Sequence, residues 1–202
     1  MRIILASSNK DKIKEIKEIL QDLEGIFVLP YTELVESFEI IEDGRSFKEN
    51  ALIKSRAVFK ALDAKNLLKK SDIVLSDDSG ICVDALNGAP GIHSARYSGG
   101  DSIENLNKLI FEVSKLKNQS SKAYYCASIA ISSFYGEYTT HGFMYGEVIS
   151  EKRGSYGFGY DPMFIPNGSL KTLAELSDEE KNAISHRKMA LDCAKLIIKM
   201  LL

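Results

Sequence analysis

The sequence predicts an α/β protein built on a mixed, twisted sheet with flanking helices. Three observations carry that expectation. Strand-like and helix-like runs alternate through residues 2–75, the pattern of strands joined by helical crossovers. Two later runs, "AYYCASIAISSF" and "YTTHGFMYGEVIS", are joined tightly through Tyr135-Gly136-Glu137 and read as a hairpin. With 202 residues, 45% hydrophobic and 27% charged, the chain is long enough for one substantial core, so a single domain over residues 1–202 is expected.

The elements follow in order. "RIILA" is a strand by its branched apolar content. From Lys10 to Leu23 the apolar residues Ile13, Ile16, Ile19, Leu20 and Leu23 fall at helical spacing, with Asn9 as N-cap. "IFVLPY" is a second strand. Ser46-Phe47-Lys48-Glu49 is a capping box, and its helix is expected to reach about Leu68 with Phe47, Ala51, Val58 and Leu62 as its apolar stripe. Ile73, Val74 and Leu75 form a buried strand that should end at Asp77 and Asp78, with Ser79-Gly80 as the turn that stops it. A glycine-rich loop covers residues 87–102, and a helix is expected over 103–117. After the hairpin, "GSYGFGYDPMFIPNG" is a second glycine and aromatic loop. Ser177 to Glu180 is another capping box. The last helix runs from about His186 to Leu201, with Met189, Cys193, Leu196, Ile197 and Met200 as its apolar side.

Charge and cysteine content narrow the function classes. The 26 basic and 28 acidic residues leave a net charge of −2, which argues against a non-specific nucleic-acid binder. Cys82, Cys126 and Cys193 are odd in number and contain no CxxC pair, so a zinc site and a disulfide framework are both disfavoured. The opening "MRIILASSNK" turns polar too soon for a signal peptide, and no apolar run approaches the length of a membrane span. A cytoplasmic protein is expected.

Several stretches bear chemistry. Ser7, Ser8, Asn9, Lys10, Asp11 and Lys12 make a polar turn leading into a helix N-terminus, where backbone N–H groups face an anion. Lys10 and Lys12 lie against the helix dipole there, an arrangement that a phosphate between them and the helix end would explain and that a solvated surface lysine would also satisfy. Lys54 falls on the apolar stripe of its helix: it either snorkels at the edge of the core or delivers a cation to a pocket. Glu42, Asp77 and Asp78 offer an all-oxygen site for a hard cation such as Mg²⁺, and one of them can serve as general base. Adjacent strand residues point to opposite faces, so Asp77 and Asp78 should do different jobs. His186 and Arg187 follow Ser185 at the start of the last helix. Phe158, Gly159, Tyr160 and Asp161 put aromatics beside flexible backbone, suited to stacking on a nucleobase or to packing the loop onto the core.

Together, "ASSNKDK", "EDGRSFKENALIKSR", "LSDDSGICVDALNGAPGIHSARYSG", "GFGYDPMF" and "EEKNAISHR" resemble the inosine triphosphate pyrophosphatase family, in the family's order and over nearly the whole chain. The resemblance implies a mixed sheet in two lobes around a central cleft, usually in a homodimer. It implies Mg²⁺-dependent hydrolysis of ITP, dITP and XTP to the monophosphate and pyrophosphate. By the same resemblance Asp78 is the general base and a metal ligand, Glu42 a second metal ligand, and Asp77 a supporting neighbour. Ser7 to Lys12, Lys54 and Ser79 would hold the triphosphate end. Phe158 to Asp161 would line the base, with Lys181, His186 and Arg187 at its 6-keto edge. Two other readings are open: a pyrophosphatase for modified pyrimidine triphosphates, and a nucleotide sensor without turnover.

Overall fold

The computed structural model describes residues 1–201. Among them the strands form one mixed sheet in the order β2-β1-β3-β4-β5-β6, where β1 is Arg2–Leu5, β2 Phe27–Pro30, β3 Ile73–Val83, β4 Ser120–Ser133, β5 Gly136–Ile149 and β6 Phe164–Pro166. β1 pairs in parallel with β2 and with β3, whereas β5 and β6 are antiparallel. The α/β expectation holds. The helices are α1 Lys10–Leu20, α2 Phe47–Asp63, α3 Ser102–Ser114, α4 Asp178–Ile184 and α5 His186–Met200.

The chain divides into two compact units. The first contains Met1–Asp78, Ala127–Gly142 and Arg187–Leu202; the second contains Ser79–Cys126 and Phe143–His186. In the first unit the two faces of the sheet separate by residue parity. Ile3, Leu5, Ile73 and Leu75 pack with Ile16, Ile19 and Leu20 of α1 and Leu191 and Ile198 of α5. Ile4, Ala6 and Val74 pack with Val58 and Leu62 of α2 and with Tyr31. Side chains alternate along a strand, so this sheet is necessarily sandwiched between α1 with α5 and α2. In the second unit Ile81, Val83, Tyr125, Met144, Val148 and Phe164 from strands meet Leu106, Leu109 and Val113 of α3.

Three expectations are corrected. β3 does not stop at the two aspartates but runs on through Ser79 and Gly80 to Val83. Ile81 and Val83 are fully buried and extend the strand into the second unit's core. Gly80 is there for close approach and not for a turn: a Cβ on it would lie 2.4 Å from Ser94 Oγ and 2.5 Å from the Gly91 carbonyl oxygen. Helix α2 ends at Asp63, short of Leu68; the backbone turns left-handed at Asn66 (φ 55°), and the Leu67 N–H closes back on Leu62 O. On α5 the packed face is Ala190, Leu191, Ala194 and Ile198, while Met189, Cys193, Leu196 and Met200 are exposed and only Ile197 is packed against the core. The large side chains suggested one face, but the helix lies down on its alanines, which permit closer approach.

Near the start of β3, Asp72 fixes the N-terminal strand. Its carboxylate accepts from the Arg2 backbone N–H at 3.2 Å, from Arg2 Nε at 3.1 Å and from the Lys69 N–H at 2.8 Å. Burial alone would raise its pKa, but the Arg2 and Lys69 donors outweigh that and hold it below the ordinary carboxylate range. A depressed carboxylate contributes stability that is full above the unfolded value near 3.9 and is lost as pH falls through the folded one. Asp72→Asn is expected to cost about 2 kcal/mol at neutral pH. The difference from the parent should shrink in urea titrations run progressively below about pH 4, and a constant difference would disprove this source of stability.

Candidate functional site

In the first unit, Asp77 and Asp78 stand side by side on β3 and lead separate lives. Asp77 is buried. Lys12 reaches it from the first turn of α1, with Nζ 2.7 Å from Asp77 Oδ2. Arg187, also buried at the start of α5, points Nε and Nη2 at the two Asp77 oxygens at 3.4 and 3.3 Å and donates from Nη1 to Glu15 Oε2 at 2.5 Å. Burial opposes the Asp77 charge, but the Arg187 and Lys12 cations prevail and hold its carboxyl far below the usual carboxylate range. Asp77 is a permanent anion with two cationic partners.

Asp78 faces the other way, towards α2. Its Oδ1 accepts from Lys54 Nζ at 2.8 Å, and the same ammonium donates to Glu42 Oε2 at 2.9 Å. Lys54 therefore does not snorkel; it bridges two acids. Its pKa is raised: burial alone would lower it, but Asp78 and Glu42 outweigh that. Asp78 Oδ2 is buried and has no hydrogen-bond partner among the described residues. Burial raises the pKa of Asp78, and Lys54 only partly offsets it. Neighbouring carboxyl groups whose pKa values are pushed in opposite directions are able to take different chemical roles.

The turn before α1 is built by its own side chains. Asn9 caps the helix, its Oδ1 accepting the Lys12 N–H at 3.0 Å, and the Asn9 N–H donates to Ser7 Oγ at 3.2 Å. Ser8, Lys10 and Asp11 are exposed, so the helix N-terminus is open to solvent. Among the described residues no group of three or more His, Cys, Asp or Glu side chains gathers as a metal centre. Glu42 and the unpartnered Asp78 oxygen nonetheless suit a cation that takes one or two carboxylates and completes its shell with water and substrate phosphate.

The second unit carries a different set. Asp161 is buried and shapes the 158–161 turn by accepting the Phe158 N–H at 2.9 Å. Its Oδ2 also accepts from Lys181 Nζ at 2.7 Å, and Tyr125 O–H points at its Oδ1 at 3.4 Å. The Lys181 ammonium lies 4.3 Å from the Phe158 ring centroid, a cation–π contact. The His186 ring stacks on Tyr125 at 4.7 Å between centroids and 13° between planes. Tyr160 is a core residue whose hydroxyl donates to the Ser94 carbonyl at 2.7 Å, so for this ring the packing reading holds. Phe158 and Gly159 stay half-buried, as does Ser79.

Arg187 thus stands with Asp77 and Glu15, while Lys181 and His186 stand with Asp161 and Tyr125. Two participants escaped the sequence reading. Glu15 follows Lys12 by three residues on the side of α1 that carries Ile16 and Ile19, and an acid on a buried face is a signal in itself. Tyr125 gave none, because an aromatic in an apolar strand is ordinarily core.

The model of the Ham1 family matches residues 3–196. Over the full chain the sequence is 57% identical to a dITP/XTP pyrophosphatase of Campylobacter jejuni, of which it covers 98%. It is likewise 57% identical to a dITP/XTP pyrophosphatase of Sulfurimonas denitrificans, with both chains covered completely. Among solved structures, the Ham1 protein of Staphylococcus aureus superposes with a TM-score of 0.83 at 36% identity, covering 98% of each chain. A HAM1 protein from Coxiella burnetii gives 0.82 at 37%, covering 99% of each.

Proposed function

The chain belongs to the Ham1 family, and from that premise we propose that it hydrolyses non-standard purine nucleoside triphosphates (ITP, dITP and XTP) to the monophosphate and pyrophosphate. The observation that carries the mechanism is the unlike environment of two adjacent carboxylates: Asp77 locked between Lys12 and Arg187, Asp78 with one oxygen on Lys54 and one buried and open. Asp78 takes a proton from water, whose oxygen forms a bond to the α-phosphorus as the bond to the bridging oxygen of the β-phosphate breaks. Pyrophosphate leaves with that bonding pair. Lys12, Lys54, Ser79 and the N–H groups of the Ser7–Lys12 turn hold the phosphate oxygens and spread the developing charge. Glu42 and Asp78 would hold Mg²⁺, which supplies Lewis-acid stabilisation of the leaving pyrophosphate.

By the family resemblance, Phe158 to Asp161 would line the base, and Lys181 and His186 would donate to a 6-keto oxygen. An adenine 6-amino group would meet those donors with its own, and ATP is rejected by the unpaired groups that result. Arg187, which the resemblance also assigns to the base edge, is held by Asp77 and Glu15. We further propose that it is cytoplasmic and, as the resemblance to the inosine triphosphate pyrophosphatase family implies, a homodimer. Nothing in a net charge of −2 calls for a nucleic-acid partner.

The test is product analysis of ITP, XTP, dATP and dUTP incubated with protein and Mg²⁺. Pyrophosphate from ITP and XTP, with dATP and dUTP intact, is the expected result. Orthophosphate in its place would move the attack away from the α-phosphorus. Cleavage of dUTP alone would transfer the reading to pyrimidines, and bound but uncleaved ITP would leave a sensor.

A further inference from the structure

Asn50 lies on α2 with none of its surface exposed, and the reaction above makes no use of it. Its Oδ1 accepts the Gly44 N–H at 2.9 Å. That N–H needs an acceptor, so the amide cannot be turned over, and its Nδ2 must face elsewhere. There it has no hydrogen-bond partner among the described residues. A buried N–H without an acceptor is unfavourable, and accepting from Gly44 requires only the Oδ1 half of the amide. A mere core plug is therefore a poor account of this side chain.

Its surroundings give a better one. Gly44 lies two residues after Glu42 and is pressed onto the start of α2: a Cβ on Gly44 would stand 2.6 Å from Asn50 Oδ1 and 2.9 Å from the Asn50 nitrogen. One helical turn beyond Asn50, on the same face, Lys54 holds Glu42 and Asp78. Asp78 Oδ2 is a buried acceptor left open among the described residues of this unit, and Asn50 Nδ2 is a buried donor left open on the helix that serves it. We propose that Asn50 is a positioning residue for the reaction above, on which this inference rests: its amide oxygen clasps Gly44 and so holds Glu42 on Lys54, and its N–H is kept for an oxygen of the triphosphate.

Two variants separate the halves of this role. Asn50→Asp keeps an acceptor for Gly44 and replaces the N–H by a carboxylate oxygen that repels phosphate. Gly44→Ala leaves Asn50 chemically intact but forces a methyl group into the clasp. Metal affinity is read by calorimetry with Mg²⁺ alone, substrate affinity as KM for ITP, and folding by the thermal midpoint. Gly44→Ala is expected to weaken Mg²⁺ binding by roughly tenfold or more, the usual effect of loosening a group that orients a metal ligand. Asn50→Asp is expected to raise KM for ITP by a similar factor while Mg²⁺ binds at least as well as to the parent. Parent-like Mg²⁺ affinity in folded Gly44→Ala would overturn the clasp, and parent-like KM in Asn50→Asp would overturn the donor. If Gly44→Ala does not fold, Asn50→Leu, which removes the acceptor and leaves Gly44 intact, tests the clasp by the same Mg²⁺ calorimetry, and parent-like affinity would overturn it. Should the parent release no pyrophosphate from ITP, the reaction itself fails, and calorimetric binding of ITP to Asn50→Asp still tests the donor.

Discussion

Asp78→Asn should lower turnover of ITP by about 10²–10⁴-fold, the range associated with loss of a positioned general base, and leave the protein folded. The substitution is nearly isosteric, and an asparagine carbonyl can still accept from Lys54, which keeps Glu42 as its counter-ion. The open Oδ2 becomes an amide nitrogen, and nothing in the first unit's cores is displaced. The thermal midpoint should therefore stay within a few degrees of the parent. At saturating Mg²⁺ KM should rise little, because Glu42, Lys12, Lys54 and the α1 N-terminus remain, and the loss belongs in kcat. Near-normal kcat in a folded Asp78→Asn protein would remove Asp78 from proton transfer and with it the mechanism proposed here.

The site was legible in the sequence where charge stood in the wrong place. Lys12 against a helix dipole and Lys54 on an apolar stripe were each balanced between a surface reading and a site reading, and both proved to reach buried carboxylates. The alternation of a strand was enough to say that Asp77 and Asp78 part company. What it could not say is which cation each would find, because Arg187 arrives from a helix 110 residues further on. Local pattern also misjudged Gly80, where the signal for a turn was a requirement for close approach to Ser94 and Gly91. On α5 it weighed side-chain size and missed that Ala190 and Ala194 let the helix settle against the sheet. Those errors share a cause. Periodicity reports that a face is buried, but the partner that covers it decides which residues the face can hold.

The same partition predicts that the aspartate next door fails differently. Asp77→Asn should destabilise the fold by about 3–5 kcal/mol, the range for breaking a buried ion pair and leaving its partner uncompensated. Arg187 would keep Glu15 but lose the Asp77 charge, while Lys12 would lose the carboxylate it approaches at 2.7 Å. At this chain length each kcal/mol moves the midpoint by roughly 2–4 °C, so a fall on the order of 10 °C is expected. The protein that does fold should retain kcat far better than Asp78→Asn, since the proton acceptor is untouched. A double-mutant cycle gives the sharper measurement. Asp77→Asn combined with Arg187→Met removes both the anion and the cation it was there to balance, so the pair should cost less than the sum of the single changes. Strict additivity would mean that Asp77 and Arg187 do not depend on each other. A folded, stable Asp77→Asn protein lacking activity would reverse the assignment, making Asp77 the reactive carboxylate and Asp78 its support.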